Sequence, residues 1–392
     1  MKHIAVITTT RAEFGLLLPL IKELRTKETE EFRVSLVVTG THLSDEYGGT
    51  ISEIKETSLR IDEEVSVRME SCTPEDISRN QADVLVKFTK LFSERKYDAI
   101  VILGDRYEML MIAIAATNTL TPIIHLCGGD TTEGAVDECV RHSITKMSYY
   151  HFVTNELSKR RVIQLGEDPT RVFNVGSTSI DNINNIDTYT SADVLKSLGI
   201  NCSCRYAVCT YHPVTLESRD IEETIMDFVY SIKRRPKIEF IVTKSNADKG
   251  GTIINEILER ESRHIKNMHV VDSLGMARYI ALVRHAEFVM GNSSSGIIEA
   301  PALHVPTINI GDRQKGRLKS ESVINCGIKT DDINSAIEKA LSEEMKTIAQ
   351  NVKSPYGDGH AAEKMTKFIF CMLQGEINLK KKFYEVDLKQ EI

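Results

Sequence analysis

The sequence lacks the features that mark membrane proteins and nucleic-acid-binding proteins. No stretch approaches the roughly 18 consecutive apolar residues of a membrane helix. The first apolar run is interrupted by Arg11 and Glu13, too early for a signal peptide. The net charge is -7, which disfavours binding to nucleic acid or to anionic membranes. We therefore expect a cytoplasmic protein with neither kind of partner.

The eight cysteines also lack the paired CxxC spacing of a zinc site. Only three of them lie close together in the sequence, and no second pair completes a set of four ligands. We expect free thiols and no bound metal. Because the chain as a whole is acidic, an anionic ligand would need local cations, and three arginines are candidates: Arg11, Arg141 and Arg313.

Short apolar runs alternate with stretches of helical periodicity along most of the 392 residues. This alternation with short connections predicts parallel sheets covered by helices on both faces, and the length suffices for two domains. The pattern weakens and then restarts once. We predict an α/β protein with a first domain over 1–178, a linker over 179–203, a second domain over 204–358, and a helix in 359–392 that packs back on the first domain.

Three carboxylates lie at the predicted ends of strands or at the start of a helix. Asp105 ends the run DAIVILGD, Asp130 follows PIIHLCGG, and Asp137 precedes Arg141 by about one helical turn. Open α/β sheets bind ligands at the carboxyl ends of their strands. Carboxylates grouped there can have pKa values suited to proton transfer, so we predict that these three acids are catalytic. Solvated ion pairs at a helix start are the alternative.

Cys127 lies in HLCGGD beside these acids, and His125 precedes it by two residues. A nucleophilic thiolate would need such a base. A small apolar residue packed in the sheet is the interpretation we favour.

The segment GNSSSGIIEAP predicts phosphate binding at the N-terminus of a helix. Ser293 and Ser294 would offer hydroxyl and N–H donors there. Glu299, about one turn into the helix, would accept hydrogen bonds from a ribose. The alternative is a serine N-cap on a purely structural helix.

Five further residues occupy loop positions after predicted strands. Arg11 follows the first strand near a helix start, where a diphosphate is expected; a surface ion pair is the alternative. His42 follows the second strand and is assigned to the substrate, with a structural loop histidine as the alternative. His212 suits a donor to phosphate. Asn246 and Arg313 occupy comparable positions in the second half.

The chain resembles the hydrolysing UDP-N-acetylglucosamine 2-epimerases of bacterial sialic acid synthesis. The resemblance rests on motifs that run in order from Met1 to about Arg317: TRAEFG, VTGTH, LGDRYE, HLCGGD, TTEGAVDE, RHSITKMS, YHPVT, GNSSSGIIEAP and NIGDRQKGR. It implies two Rossmann-like domains of the glycosyltransferase-B type that face a central cleft, with UDP held mainly by the second. It also implies a homodimer or a tetramer, and neither a metal nor another cofactor. Close relatives of the family act instead on UDP-N,N'-diacetylbacillosamine in legionaminic acid synthesis.

The resemblance further implies a reaction. A base removes the C2 proton of the sugar while UDP leaves C1 by anti elimination, and water adds to the resulting 2-acetamidoglucal to release N-acetylmannosamine. Matching to the family motifs places Asp105 and Asp137 among the catalytic acids and His212 among the catalytic and UDP-contacting residues. The residues assigned to substrate binding are Arg11, His42, Arg141, Asn246, Ser293, Ser294, Glu299 and Arg313.

The third acid departs from the family pattern. Family members have a glutamate where this chain has Cys127, or a histidine there with an acid at the position of Asp130. The acid–base role is therefore lost or moved to Asp130. Two other functions stay open: a glycosyltransferase of the same fold, which would leave the three acids without a role, and an inactive UDP-sugar binding or sensing protein.

Overall fold

The structure, a computed structural model, describes residues 1–44, 49–69, 73–132, 136–185, 188–214, 220–245, 250–375 and 377–386. The chain divides into two compact units. Unit 1 consists of Met1–Asp130, Val136–Asn182 and Tyr356–Ile392, and unit 2 of Thr131–Ala135 and Ile183–Pro355. Within the described ranges, no helix is both long enough and apolar enough to cross a membrane.

Unit 1 contains a parallel sheet with strands β1 to β7. These are Lys2–Thr8, Phe32–Thr39, Glu63–Val65, Ala99–Leu103, Ile123–Leu126, Tyr150–Val153 and Val172–Asn174. Their order across the sheet is β3-β2-β1-β4-β5-β6-β7. The central strands read as continuous apolar runs because helices cover both faces; in β1 the residues from Ile4 to Ile7 are fully buried.

The helices that flank this sheet are α1 to α7. They span Arg11–Thr26, Ile51–Glu56, Pro74–Arg95, Tyr107–Asn118, Asp137–Met147, Glu156–Gln164 and Thr178–Asn185. Side-chain N-caps set the starts of several of them: Thr10 caps α1, Thr73 caps α3 and Asn155 caps α6. These caps place the helix starts close to the carboxyl ends of the strands.

The last helix, α15 (Ala361–Leu373), belongs to unit 1. Met365 and Ile369 are buried in the same apolar cluster as Leu17 and Leu20 of α1. The carboxylate of Asp181 accepts hydrogen bonds from the N–H groups of the first two residues of α15, at 3.0 and 2.8 Å. Both apolar packing and this capping carboxylate therefore hold α15 in unit 1.

Unit 2 contains a second parallel sheet with strands β8 to β13: Tyr206–Thr210, Glu239–Thr243, Met268–Val271, Val289–Gly291, Thr307–Ile310 and Val323–Cys326. Their order is β10-β9-β8-β11-β12-β13. The helices α8 to α14 span Ser191–Ser197, Ile221–Lys233, Gly251–Ser262, Gly275–Val283, Ser295–Ala302, Thr330–Ala340 and Glu343–Asn351. In both sheets the order is that of the Rossmann fold, counted from β1 or from β8. The predicted α/β fold with two Rossmann-like units is confirmed.

The range 179–203, which the sequence predicts to be a linker, contains most of α7 and all of α8. Its polar residues cap helices here: the Thr190 hydroxyl accepts from the Asp193 N–H, and the Asp193 carboxylate accepts from the Thr190 N–H. Val194 and Leu195 are buried in an apolar cluster of unit 2. The polar composition of this range therefore marks helix starts as well as a connection between units.

Candidate active site

In unit 1 the strand order reverses between β1 and β4. These two strands are neighbours in the sheet although three helices and two strands separate them in sequence. At such a switch point the loops from adjacent strands diverge and leave a crevice. The loop after β1 leads to Arg11, and the loop after β4 contains Asp105. The loop after the next strand, β5, contains Cys127 and Asp130. Two of the three predicted acids therefore follow adjacent strands at one edge of the sheet.

Arg141 ties this group together. Its side chain, only 4% exposed, extends from α5 and donates to the carboxylate of Asp105. It also donates to the carboxylate of Glu138 at 3.0 Å and to the backbone carbonyl of Asp130 at 2.8 Å. Burial opposes the charged form of Arg141, but Asp105 and the other acids outweigh it and raise the pKa of the guanidinium. Arg141 thus fixes Asp105 relative to the loop that contains Asp130.

Asp130 is anchored through its side chain as well. One oxygen of its carboxylate accepts hydrogen bonds from Ser158 Oγ at 2.6 Å and from Thr154 Oγ1 at 2.9 Å. These hydroxyls lie at the end of β6 and in the first turn of α6. The carboxylate is therefore held toward α6, and a catalytic role for Asp130 stays a prediction.

Asp137 is the first residue of α5 and is exposed. A carboxylate at a helix N-terminus interacts favourably with the helix dipole. On the same helix, His142 Nε2 lies 3.2 Å from a carboxylate oxygen of Glu138, as the spacing of four residues suggests. The residues 133–135, which precede α5, lie outside the described part of the chain.

Both ring nitrogens of His125, the base considered for Cys127, lie against other groups. His125 is fully buried, with Nε2 2.9 Å from the carbonyl oxygen of Gly104 and Nδ1 3.3 Å from Thr145 Oγ1. Burial lowers its pKa to about 3, so the ring is neutral. The geometry matches the structural interpretation of HLCGGD. The second glycine there is required, because a Cβ on Gly129 would lie 2.2 Å from the carbonyl oxygen of Ser158.

Arg11 and His42 lie near the carboxyl end of β1 and have partners within unit 1. Arg11 is exposed, with Nε 2.9 Å from a carboxylate oxygen of Glu53. His42 is fully buried, with Nε2 3.0 Å from Thr8 Oγ1 and Nδ1 2.8 Å from Thr50 Oγ1. Burial lowers the pKa of His42 to about 4. The ring therefore positions the loop after β2, and its contact with substrate stays a prediction.

Glu13, which was not predicted to be functional, is 5% exposed in the first turn of α1. One carboxylate oxygen accepts from the Thr9 N–H at 2.9 Å and from Thr9 Oγ1 at 2.7 Å. The other has no hydrogen-bond partner among the described residues. Burial raises the pKa of Glu13 to about 7, although Thr9 and Arg106 act in the opposite direction. The spacing Thr10-x-x-Glu13, typical of a capping box, is the sequence signal for this position.

Glu13 should make stability dependent on pH. Since its folded-state pKa is raised, its contribution is fully present below the unfolded value of 4.5 and is lost as pH rises through about 7. Between about pH 5.5 and about pH 8.5, we expect the unfolding free energy of the protein to fall by about 2 kcal/mol relative to that of Glu13→Gln. Urea denaturation at both pH values measures this. The exposed Glu31→Gln is the control, and equal pH dependence of all three proteins would refute the assignment.

In unit 2 the switch point lies between β8 and β11. There Asn292 and His212 exchange two hydrogen bonds of 2.7 Å each, from the His212 N–H to the Asn292 side chain and from that side chain to the His212 carbonyl. His212 Nδ1 lies 3.3 Å from Ser245 Oγ. The Asn292 carbonyl accepts from Arg313 at 3.1 Å and from Gln314 at 2.9 Å. Asn292, which the sequence analysis did not single out, therefore joins the loops of two predicted UDP contacts.

The serines of GNSSSGIIEAP lie at the start of α12, as the sequence predicts. Ser294 is the N-cap residue of this helix, and its hydroxyl makes no capping hydrogen bond. Ser295 Oγ donates to the hydroxyl of Tyr279 at 2.7 Å. Ser293 and Glu299 are both half-buried. The geometry suits an anion at the N-terminus of α12. Asn246 lies outside the described residues.

Gly291, which ends β11, should tolerate no side chain. Its φ is 142°, and a Cβ would lie 1.8 Å from the carbonyl oxygen of Thr210. Gly199, also in unit 2, has a φ of 72° but open space around the Cβ position. We expect Gly291→Ala to lower the unfolding free energy by about 2 kcal/mol and Gly199→Ala by about 1 kcal/mol. Chemical denaturation followed by circular dichroism measures both, and equal losses would show that the contact with β8 has no effect.

Comparison with known proteins places this site in a family. A model of the family described as UDP-N-acetylglucosamine 2-epimerase matches residues 24–370. The GDP/UDP-N,N'-diacetylbacillosamine 2-epimerase (hydrolyzing) of Campylobacter jejuni is 38% identical over 348 residues, 88% of this chain and 89% of that protein. A polysialic acid biosynthesis protein of Escherichia coli is 35% identical over 387 residues, 98% of each chain.

A solved structure has the same fold. The UDP-GlcNAc 2-epimerase of Neisseria meningitidis, bound to UDP-GlcNAc, superposes with a TM-score of 0.77 at 18% identity, covering 95% of this chain and 100% of that one. The fold, with the family model and the relatives above, defines an α/β protein of the nucleotide-sugar epimerase class. The chain belongs to the UDP-N-acetylglucosamine 2-epimerase family. The resemblance inferred from its motifs is confirmed.

Proposed function

We propose that the protein is a hydrolysing UDP-sugar 2-epimerase. The observation that carries this proposal is its 38% identity, over 88% of the chain, to a relative named as a hydrolysing 2-epimerase. The site supports it, because Asp105 and Asp130 follow adjacent strands and Arg141 contacts both residues. Such carboxylates can transfer protons to and from carbon, which is the chemistry that epimerisation at C2 needs.

In the proposed reaction a carboxylate removes the proton from C2 while the bond between C1 and the diphosphate oxygen breaks. The electron pair of the C2–H bond forms the C1–C2 double bond, and UDP leaves with the pair of the C1–O bond. Water then adds its hydroxyl to C1, and an acid returns a proton to the opposite face of C2. The net change is UDP-sugar plus water to UDP plus the free 2-epimer.

We assign the steps at C2 to Asp105 and Asp137, with Asp130 as the third acid. Asp105 is the carboxylate that Arg141 holds in place. The diphosphate is assigned to unit 2, where Ser293, Ser294 and the N-terminus of α12 offer donors. His212 and Arg313 complete that set. Asn292 accepts a hydrogen bond from the backbone N–H of His212 and another from the side chain of Arg313. Arg11 is assigned to the diphosphate from unit 1.

The preferred substrate is UDP-N,N'-diacetylbacillosamine, because the relative from Campylobacter jejuni is named for the GDP- and UDP-linked forms of this sugar. UDP-N-acetylglucosamine, which the sequence analysis put first, is the second candidate. The match to the family model and the relative named for polysialic acid biosynthesis favour it.

The test is to incubate the purified protein with each UDP-sugar in deuterated water and to follow the products by NMR. We expect UDP and a free sugar with deuterium at C2 from the true substrate. A 2-epimer that keeps its UDP would place the protein in the non-hydrolysing branch. Tight UDP binding by calorimetry with no turnover of either sugar would favour a binding or sensing protein.

The proposed enzyme acts in the cytoplasm as a homodimer. This proposal follows from the resemblance of its motifs to the family. Light scattering on the purified chain tests the oligomeric state: twice 44.1 kDa supports the dimer, and 44.1 kDa contradicts it.

A further inference from the structure

A pocket of about 600 Å³ opens at the carboxyl ends of β12 and β13, and its lining does not include the serines and the glutamate assigned to UDP. Asn309 and Asn325 line it from paired positions on the two strands. Lys315 and Lys319 line it from the loop that follows β12. Its volume is in the range of small-molecule sites, about 300–1,000 Å³, and exceeds what a free phosphate would fill.

Asn309 has a buried, unsatisfied acceptor close to the wall of this pocket. Its side chain is 3% exposed, and its Nδ2 donates to Asn325 Oδ1 at 2.9 Å. Its own Oδ1 has no hydrogen-bond partner among the described residues. A buried amide oxygen without a donor is unfavourable, so a ligand hydroxyl or N–H group would be stabilised there.

The opposite side of the pocket is cationic. Lys319 Nζ donates to the Gln314 carbonyl at 2.9 Å, which uses one of its three N–H groups. Lys315 is exposed, and Asp312 is the acid that lines the same pocket. Two lysines and one aspartate line the pocket, so its lining carries a net positive charge, although the carboxylate of Asp332 lies beside Gly327 of the same lining. Burial also lowers the pKa of Lys319, and a nearby anion would stabilise its charged form.

The loop after β12 directs some of its side chains to this pocket and others to the predicted UDP contacts. Arg313 and Gln314 turn toward the Asn292 carbonyl beside β11. Further along, Arg317 donates to the Thr131 carbonyl at 3.3 Å. Lys315 and Lys319 are the loop cations that line the pocket.

We propose that this pocket is a second ligand site, distinct from the UDP contacts, which binds a small polyhydroxylated anion. The anionic group, a phosphate ester or a carboxylate, pairs with Lys315 and Lys319. A hydroxyl of the same molecule donates to Asn309 Oδ1, which turns toward the pocket when the ligand binds.

The test is isothermal titration calorimetry on the full chain, with and without saturating UDP. The probes are glucose 6-phosphate, glucuronate, inorganic phosphate and glucose. We expect one of the first two to bind at one site per chain with a Kd below about 1 mM, unchanged by UDP, and glucose not to bind. Binding of glucose 6-phosphate alone identifies a phosphate ester, and binding of glucuronate alone identifies a carboxylate.

Variants locate the site. Lys315→Gln/Lys319→Gln should weaken binding of the probe at least about tenfold and leave the Kd of UDP unchanged. Lys339→Gln, which removes an exposed lysine of α13, is the matched control. Lys315→Gln alone removes an exposed charge and keeps the test valid if the double variant does not fold. Three results would overturn the proposal: no binding of either sugar anion, loss of binding when UDP is present, or inorganic phosphate binding as tightly as the sugar phosphate.

Discussion

Asp105→Asn is expected to lower kcat for UDP release by about three orders of magnitude, while the Kd of UDP changes by less than about twofold. Asparagine keeps the size of the side chain and an oxygen that can accept from Arg141. It cannot take up a proton from carbon, so the loss falls on the chemical step. Initial rates of UDP release measure kcat, and calorimetry measures UDP binding.

Asp98→Asn is the matched control for this change. Asp98 lies just before the amino end of β4, whereas Asp105 follows the carboxyl end of the same strand. The carboxylate of Asp98 accepts a hydrogen bond from the His3 N–H at 2.8 Å. We expect its kcat to stay within about twofold of the unchanged protein. If Asp105→Asn kept more than about a tenth of the activity, Asp105 would not be one of the proton-transferring acids.

Most of the fold could be predicted from local patterns, because most strands are short apolar runs that end where polar residues begin. The exception is β3 (Glu63–Val65), in which two of the three residues are glutamates. The runs IAVIT, VSLVV and AIVIL lie in β1, β2 and β4, whereas the order of these strands in the sheet was not predicted. Asp105 was singled out because ligands bind at the carboxyl ends of strands, and Ser293 because it lies at a predicted helix N-terminus; the role of each stays a prediction.

Partnerships between distant residues could not be predicted in the same way. Nothing local to Arg141 indicates that it contacts Asp105, 36 positions earlier, because that contact exists only once α5 packs beside β4 and β5. The same holds for Asn292, which joins His212, 80 positions earlier, to the loop of Arg313. Glu13 could not be singled out either, because its burial depends on the packing of α1 against the sheet.

Arg141 is where the sequence and the structure suggest different roles. The sequence analysis assigns it to substrate binding. In the structure its guanidinium is almost fully buried and contacts two carboxylates and the backbone carbonyl of Asp130. This geometry favours a positioning role, in which Arg141 acts on the reaction through Asp105. The two roles differ in the kinetic parameter that a conservative change would alter.

Arg141→Lys is therefore expected to lower kcat by about 100-fold and to change KM for the UDP-sugar by less than about threefold. Lysine keeps the charge, but its single ammonium lacks the planar fork that reaches Asp105 and the Asp130 carbonyl together. Steady-state kinetics on the preferred UDP-sugar separate the two parameters, and thermal unfolding shows that the variant is folded. Arg160→Lys, an exposed position on α6, is the control and should change neither parameter. A raised KM with kcat preserved would instead make Arg141 a substrate contact, because ground-state binding would then be what the guanidinium supplies.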